Sequence, residues 1–431
     1  MTRTVEQRDP VRRPGERPGE RLGERLGERL REPYVQLVAS QLLVGVVALA
    51  ANIMMVRALA PAHRGQVALL LQIVYLGAQA LLLGTERSFV AAYHEVAPAA
   101  AVRLYGRLLV APTLLGVAAA TAYAMLAPRR LTPGPVVIAL VTTFALVEAA
   151  GLAGRSVAIA AGRVHDFLAS RVIESILLLA AMAVLFRARV DTPAPWLGCY
   201  IVACLVPTAG YALHWLRMPG GARPNQNGPG QNGLVRRQGA ALFPAAIANM
   251  AMLRSDRLAL PALASTAALG LYASVATMTE LLAWPLRAYA DSRLGRWRAA
   301  HRDGTLRTRP IVAAAALYVL VVAPLLAGGL YLLIVPVFGA DYAPARTVVL
   351  PLVLAAGLYA VSRISLGLLV AKGHGTLVSA AEIAGFAVSF ACYLLLIPAH
   401  GIAGAAWGSL AGYGAGLALA LLITRFAGDR L

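Results

Sequence analysis

Residues 311–336 read IVAAAALYVLVVAPLLAGGLYLLIVP, and this run contains no charged side chain. A helix rises about 1.5 Å per residue, so roughly 20 apolar residues cross the ~30 Å hydrocarbon core of a bilayer. The run is long enough to do this as one helix. We therefore predict a transmembrane helix here and ask how often the pattern recurs.

Similar runs follow one another from residue 35 to the end of the chain. Of the 431 residues, 59% are hydrophobic and 14% are charged, which excludes an ordinary soluble enzyme. The runs lack the alternation of a membrane β-barrel, so bundled helices remain. We predict an all-α integral membrane protein with about 12 transmembrane helices in two six-helix lobes around a central cavity. The predicted spans are residues 35–57, 66–86, 104–127, 134–154, 167–187, 196–217, 240–262, 269–290, 311–336, 346–371, 376–398 and 401–425.

The net charge of +19 follows from this topology. Most loop arginines fall on one side of the membrane if the N-terminus is on that side, and the positive-inside rule makes that side cytoplasmic. We expect a multi-pass membrane protein with both termini in the cytoplasm. The charge then needs no nucleic acid partner, and membrane lipids are its expected neighbours.

Four segments divide the chain. We predict a disordered charged tail over residues 1–34, a six-helix lobe over 35–217, a Gly/Pro/Asn-rich cytoplasmic linker over 218–239 and a second lobe over 240–426. The lobes share a weak echo, because a short loop ends on Gly65 before span 2 and on Gly270 before span 8. This echo predicts a duplicated transporter with its cavity between the lobes.

Short motifs at the ends of the predicted helices carry a family resemblance. Pro and Gly end one helix and start the next, and Tyr272 and Tyr342 are expected as aromatic anchors at the membrane surface. The motifs are RALAPAHRG over 57–65, Asp256 followed by ALGLYAS over 268–274, FGADYAPA over 338–345, and LIPAHGIAGAA over 396–406.

In their order and spacing, these motifs resemble polysaccharide flippases of the multidrug/oligosaccharidyl-lipid/polysaccharide exporter superfamily. The resemblance implies a transporter that moves undecaprenyl-diphosphate-linked oligosaccharide from the inner to the outer leaflet by alternating access. It also implies a lipid-linked glycan as the substrate, with glycan synthesis or polymerase proteins as further candidate partners.

Charged residues inside span 7 are the first candidates for the binding site. Burying a charge at mid-helix costs about 2.5–3.5 kcal/mol, so Arg254, Asp256 and Arg257 should face the cavity. Arg254 and Arg257 share a helix face, whereas Asp256 lies about 100° away from Arg257. This spacing predicts net positive charge that suits a diphosphate. A salt bridge between helices, or snorkelling to the membrane surface, is the alternative.

The other candidates are polar residues of five further spans. Glu280 and Glu148 are candidate coupling sites for a proton or cation, and pairing with a span 7 arginine is the alternative for Glu280. Gln41 and Asn52 share a face of span 1 and are candidates for substrate binding or for contacts between helices. The predicted inner rim, which topology alone also explains, consists of Arg87, Arg155 and Arg171, the last paired with Glu174.

Soluble chemistry is absent from the sequence. We find no P-loop, dinucleotide fingerprint, nucleophile elbow or His/Cys cluster, and we expect no enzyme activity, cofactor or metal. Three alternatives stay open: a cation-coupled multidrug antiporter of the same superfamily, a membrane enzyme acting on the same lipid carrier, and a non-transporting membrane component of a polysaccharide synthesis complex.

Overall fold

The computed structural model describes residues 33–93, 96–126, 134–218 and 230–427. Within these ranges the chain is helical, with no strand. The predicted tail over 1–34 lies almost wholly outside the described residues. The helices are α1 (Pro33–Ala58), α2 (Pro61–Leu82), α3 (Thr85–Ala92), α4 (Pro98–Leu126), α5 (Pro135–Ala160), α6 (Val164–Arg187), α7 (Pro193–Arg217), α8 (Gly230–Leu263), α9 (Thr266–Thr279), α10 (Trp284–Arg302), α11 (Thr308–Leu333), α12 (Val349–Ala371) and α13 (Gly375–Ala427).

The long helices account for the predicted spans. Eight helices of the described part are long and apolar enough to cross a membrane, and the bent pair α9–α10 makes a ninth. α8 is 34 residues long but is not among these helices, because its polar residues make it less apolar. The all-α fold with two lobes is confirmed, and the protein is a multi-pass membrane protein.

α13 is a helical hairpin that contains two of the predicted spans. The chain reverses at Gly401, whose φ of 53° and ψ of −125° are not helical. Small residues let the two arms touch: a Cβ atom on Gly412 would lie 1.7 Å from Ser389 Oγ and 2.6 Å from Gly385 O. Glycine is thus required both at the turn and along the packed seam.

Several predicted boundaries differ from the structure; span 8, for example, is broken at Glu280–Leu282, and its second helix continues to Arg302. Span 2 was expected to end at residue 86, but α2 ends at Leu82, and Leu83 and Gly84 both take positive φ before α3 begins. Glu86 therefore lies in the first turn of α3. The predicted linker is shorter on its C-terminal side because residues 230–239 are helical and continue into α8. Residues 219–229 lie outside the described part.

Two glycines pack the lobes together at one end of the bundle. A Cβ on Gly65 of α2 would lie 1.7 Å from Thr266 O, and a Cβ on Gly270 of α9 would lie 1.9 Å from Pro61 O. The contact is reciprocal, as expected of a two-fold relation between the halves. We call this end of the bundle, with the turns at 59–60 and 264–265, the Pro61 end, and the opposite end the Leu82 end.

Candidate functional site

The charged residues of α8 meet α9 at a break in that helix. Arg257 Nη2 donates to Glu280 Oε1, and Arg254 Nη1 lies 3.6 Å from the same oxygen. Glu280 opens a 3₁₀ turn, Glu280–Leu282, where α9 ends and the chain bends by 44° into α10. The carboxylate that binds both arginines thus sits on a bend between two helices. We call Arg254, Arg257 and Glu280 the arginine cluster.

Asp256 points away from this cluster. Its side chain is 6% exposed, and its Oδ2 accepts a hydrogen bond from Tyr272 Oη at 2.7 Å. The Tyr272 hydroxyl is also 3.2 Å from Ser409 Oγ, which lies 2.8 Å from the Tyr393 hydroxyl. These contacts join α8 and α9 to the α13 hairpin. Asp256 thus points in a different direction from the two arginines, as expected, and its hydrogen bond to Tyr272 links helices within the C-terminal lobe.

The expected net positive charge at this site needs a correction. The charge argument set only Asp256 against the two arginines, whereas the structure shows the alternative given for Glu280, which contacts both of them. The formal charges of these four residues therefore balance. A sequence of two adjacent spans does not show how far each long guanidinium side chain reaches, and this distance decides the pairing.

The arginine cluster faces the other lobe. The Arg254 guanidinium lies over the ring of Tyr75 on α2, 5.9 Å from its centroid. The Arg254 and Glu280 side chains keep 22% and 37% of their surface exposed. Since Tyr75 belongs to the N-terminal lobe, Arg254 contacts both lobes.

Arg64 is a further buried arginine at the interface between the lobes. It lies in the first turn of α2, and its Nη2 donates to Asn52 Oδ1 at 2.9 Å. Asn52 Nδ2 in turn donates to Ser274 O of the other lobe at 3.0 Å. Asn52 thus fulfils the second of its two predicted roles by bonding across helices. Arg64 was expected in a surface loop, but only 3% of it is exposed.

The N-terminal lobe holds a separate group, which we call the carboxylate cluster: Glu148, Arg171 and Glu174. The expected i,i+3 pair is present, with Arg171 Nη1 2.6 Å from Glu174 Oε2. Glu148 on α5 accepts a long contact from Cys204 Sγ at 3.8 Å. Among the described residues, no basic side chain lies within 4.0 Å of Glu148. Arg171 is thus paired with Glu174 and not with Glu148.

For the remaining predicted residues, the structure gives less detail. Gln41 and Arg87 lie on α1 and α3, and their side chains fall outside the described part. Arg155 is an exposed residue near the Leu82 end of α5. The structure does not bring Arg155 and Arg171 into one ring, because Arg171 is bound to Glu174.

Sequence reasoning missed Tyr75 and Arg64 and expected two further tyrosines in the wrong environment. Tyr75 and Arg64 come from α2, and their roles depend on the packing of α2 against the C-terminal lobe. Tyr272 and Tyr342 were expected at the membrane surface, but both are at most 2% exposed. Their hydroxyls donate to Asp256 and to Leu59 O, respectively. A tyrosine beside a helix end looks the same in a sequence whether it faces lipid or a buried acceptor.

Solved structures with this fold are transporters. The chain resembles an inward-facing multidrug resistance MATE family transporter of the MOP superfamily, with a TM-score of 0.63 and 14% identity over 92% of this chain and 98% of that one. An outward-facing structure of such a transporter gives 0.57 at 14% identity, over 92% and 95%. The lipid II flippase MurJ, in an inward closed conformation, gives 0.64 at 8% identity, over 91% and 87%.

At these identities, the likeness shows the fold alone. No protein-family model and no curated protein matches the chain. The chain therefore has the fold of MOP superfamily transporters, and its structural neighbours include both drug transporters and a lipid flippase. They are transporters and not enzymes.

Proposed function

We propose that this protein flips an undecaprenyl-diphosphate-linked oligosaccharide, a precursor of cell-surface polysaccharide, from the cytoplasmic to the outer leaflet of the bacterial plasma membrane. Both termini and the Leu82 end face the cytoplasm, and the Pro61 end faces outward. The two lobes expose the site between them alternately to either side. The division into lobes at residues 218–239 is part of the same proposal.

The arginine cluster carries this proposal. Arg254 contacts Tyr75 of the other lobe, and Glu280, the counter-ion of both arginines, is partly exposed on a helix bend. A diphosphate offers more oxygens to a guanidinium fork than one carboxylate does, so it is suited to replace Glu280. This exchange would link substrate binding to movement of α9 and α10. The polyprenyl chain stays in the lipid.

Glycan export by a flippase-deficient strain that expresses this protein or one of its variants tests this function. Strains that express Arg254→Ala or Arg257→Ala at the wild-type level should lose glycan export, because each variant removes a donor group from the headgroup site. Arg363→Ala is the matched control: Arg363 also lies in a span, but it pairs with Glu382 of the same lobe at 2.9 Å. Full export by both α8 variants would refute the proposal.

The carboxylate cluster favours a second candidate, a cation-coupled multidrug antiporter. Arg171 is paired with Glu174, so the further carboxyl group of Glu148 gives the three residues a formal negative charge. Such charge suits a cationic drug or a coupling ion. A deletion strain that becomes sensitive to cationic drugs, but exports its glycans normally, would favour this function over the flippase.

A further inference from the structure

Two helix ends at the Pro61 end are capped by side chains of the opposite lobe. α11 continues into a π-helical turn, Ile334–Phe338, and the last carbonyl groups of a helix have no partner within it. Arg57, in the last turn of α1, donates from its guanidinium to two of them, Val337 O and Pro336 O, the latter at 2.6 Å. A cation suits this position because the C-terminal end of a helix carries partial negative charge.

Tyr342 makes the same kind of contact in the opposite direction. It belongs to the 3₁₀ segment Ala340–Val348 of the C-terminal lobe, and its hydroxyl donates at 3.0 Å to Leu59 O, directly beyond α1. Both residues are buried, so breaking this bond leaves a donor and an acceptor unpaired until water reaches them. Each lobe thus caps a helix end of the other.

The two contacts form one unit. The ring of Phe338, which ends the π-helical turn, lies edge-on to the ring of Tyr342, with the centroids 6.1 Å apart. Gly339 lets the chain turn between them, because its φ of 103° favours glycine. Arg57 and Leu59 belong to the RALAPAHRG motif, and the other three residues belong to FGADYAPA. The two motifs therefore meet in space at one end of the bundle.

The capped end of α1 leads directly into the tightest contact between the lobes. Leu59 precedes Pro61 by two residues, and a Cβ on Gly270 would lie 1.9 Å from Pro61 O. Asn52, further back on α1, donates to Ser274 O of the other lobe at 3.0 Å. Moving α1 away from the C-terminal lobe at this end therefore breaks both caps.

We propose that Arg57 and Tyr342 form a latch, which holds the lobes together at the Pro61 end and breaks when this end opens. The proposal rests on the alternating movement of the lobes and not on the substrate, so it applies to a flippase and to an antiporter alike. The Arg57 side chain is exposed and can exchange its carbonyl partners for water, whereas the Tyr342 bond is buried. The latch therefore stabilises the closed form and stays reversible.

A distance between two spin labels, measured by pulsed electron paramagnetic resonance, tests the latch. Ala188→Cys and Ala264→Cys place one label on each lobe, at exposed positions of the Pro61 end. The full-length protein is labelled after its native cysteines, Cys199, Cys204 and Cys392, are replaced by alanine. The labelled protein is then measured in lipid nanodiscs, in which the lobes are free to move.

Both latch variants should populate a longer distance. Arg57→Gln removes the charge and the fork, so the ratio of open to closed form should rise about 10-fold, the worth of one charged hydrogen bond. Tyr342→Phe removes only the hydroxyl and leaves Leu59 O without this donor, so a rise of about 10-fold is again expected. The double variant should open more than either single variant.

Two other side chains serve as matched controls. Arg346 is an exposed arginine of the same end, but its Nε donates to Tyr331 O of its own lobe at 3.0 Å. The Tyr318 hydroxyl donates to Leu282 O, also within the C-terminal lobe, at 3.2 Å. Arg346→Gln and Tyr318→Phe should therefore keep the wild-type distances.

A wild-type distance distribution in the double variant would overturn the latch. The melting temperature is measured on the same samples: a lower value without a longer distance would show that the two side chains only stabilise the fold, and would also overturn it. The flippase proposal fails separately, because glycan export by the Arg254→Ala and Arg257→Ala variants decides it without reference to these distances.

Discussion

The two lobes carry differently arranged charged residues. In the C-terminal lobe, Arg254 and Arg257 both contact Glu280; in the N-terminal lobe, Arg171 pairs with Glu174, and Glu148 contacts Cys204 Sγ. Tyr75 of the N-terminal lobe lies under the Arg254 guanidinium. Two halves built from similar helices thus differ in the charged side chains that they place inside the membrane.

This difference suggests that the arginine cluster and the carboxylate cluster have separate functions. The arginine cluster suits the anionic headgroup of a substrate, and the carboxylate cluster suits a coupling proton or cation. This assignment keeps Glu148 as a coupling residue. For Glu280 it favours the second of the two predicted roles, because a carboxylate bound by two arginines acts as their counter-ion.

The largest effect is expected when the arginine cluster is made to resemble the carboxylate cluster. Arg254→Glu replaces a donor with a repelling charge, so farnesyl diphosphate binding should fall more than 100-fold, beyond the ~10- to 100-fold that a lost charged hydrogen bond explains. Titration calorimetry with this short-chain prenyl diphosphate measures this change in affinity. Arg163→Glu makes the same charge change at an exposed i,i+3 pair with Asp166 and should bind normally. Wild-type affinity in Arg254→Glu would remove the arginines from the headgroup site.

A smaller effect of opposite sign is expected for Glu280→Gln. The substrate no longer competes with a carboxylate for Arg254 and Arg257, so diphosphate affinity should rise by about 10-fold, the worth of one charged contact at a partly exposed position. Release then slows, and transport into proteoliposomes falls. Glu382→Gln, which breaks the Arg363 pair, is the control. Weaker diphosphate binding in Glu280→Gln would contradict the exchange of anions and would favour a cationic substrate.

The smallest effect on binding is expected for Glu148→Gln. Arg171 and Glu174 remain paired in this variant, and Glu148 does not belong to the proposed diphosphate site. Diphosphate affinity should therefore stay within about twofold, as for most substitutions outside a binding contact. Transport, however, should lose its dependence on a proton or sodium gradient. The measurement is flux in proteoliposomes with and without each gradient. An unchanged gradient dependence would remove Glu148 from coupling.

Most of the fold was predictable because membrane helices are local. The length of an apolar run and the Pro or Gly at its ends decide a span. The LIPAHG motif, for example, predicted that one span ends and the next begins near Gly401, and in the structure these two spans are the arms of one helical hairpin. The site was predictable only in part. The spacing of Arg254, Asp256 and Arg257 gave their relative directions correctly, but Arg64 was assigned to a loop because its distance from the start of a helix is not visible in the sequence.

The sequence by itself determined the all-α membrane fold, the approximate positions of the spans and the presence of charged residues within them. Each of these depends on residues near one another in the chain. Only the tertiary structure decided that Gly65 meets Gly270, that Glu280 binds both arginines, and that Arg64 is left with unpaired donors. These contacts join helices of different lobes or different spans. They depend on how the helices cross, because a long side chain finds its partner in space and not along the chain.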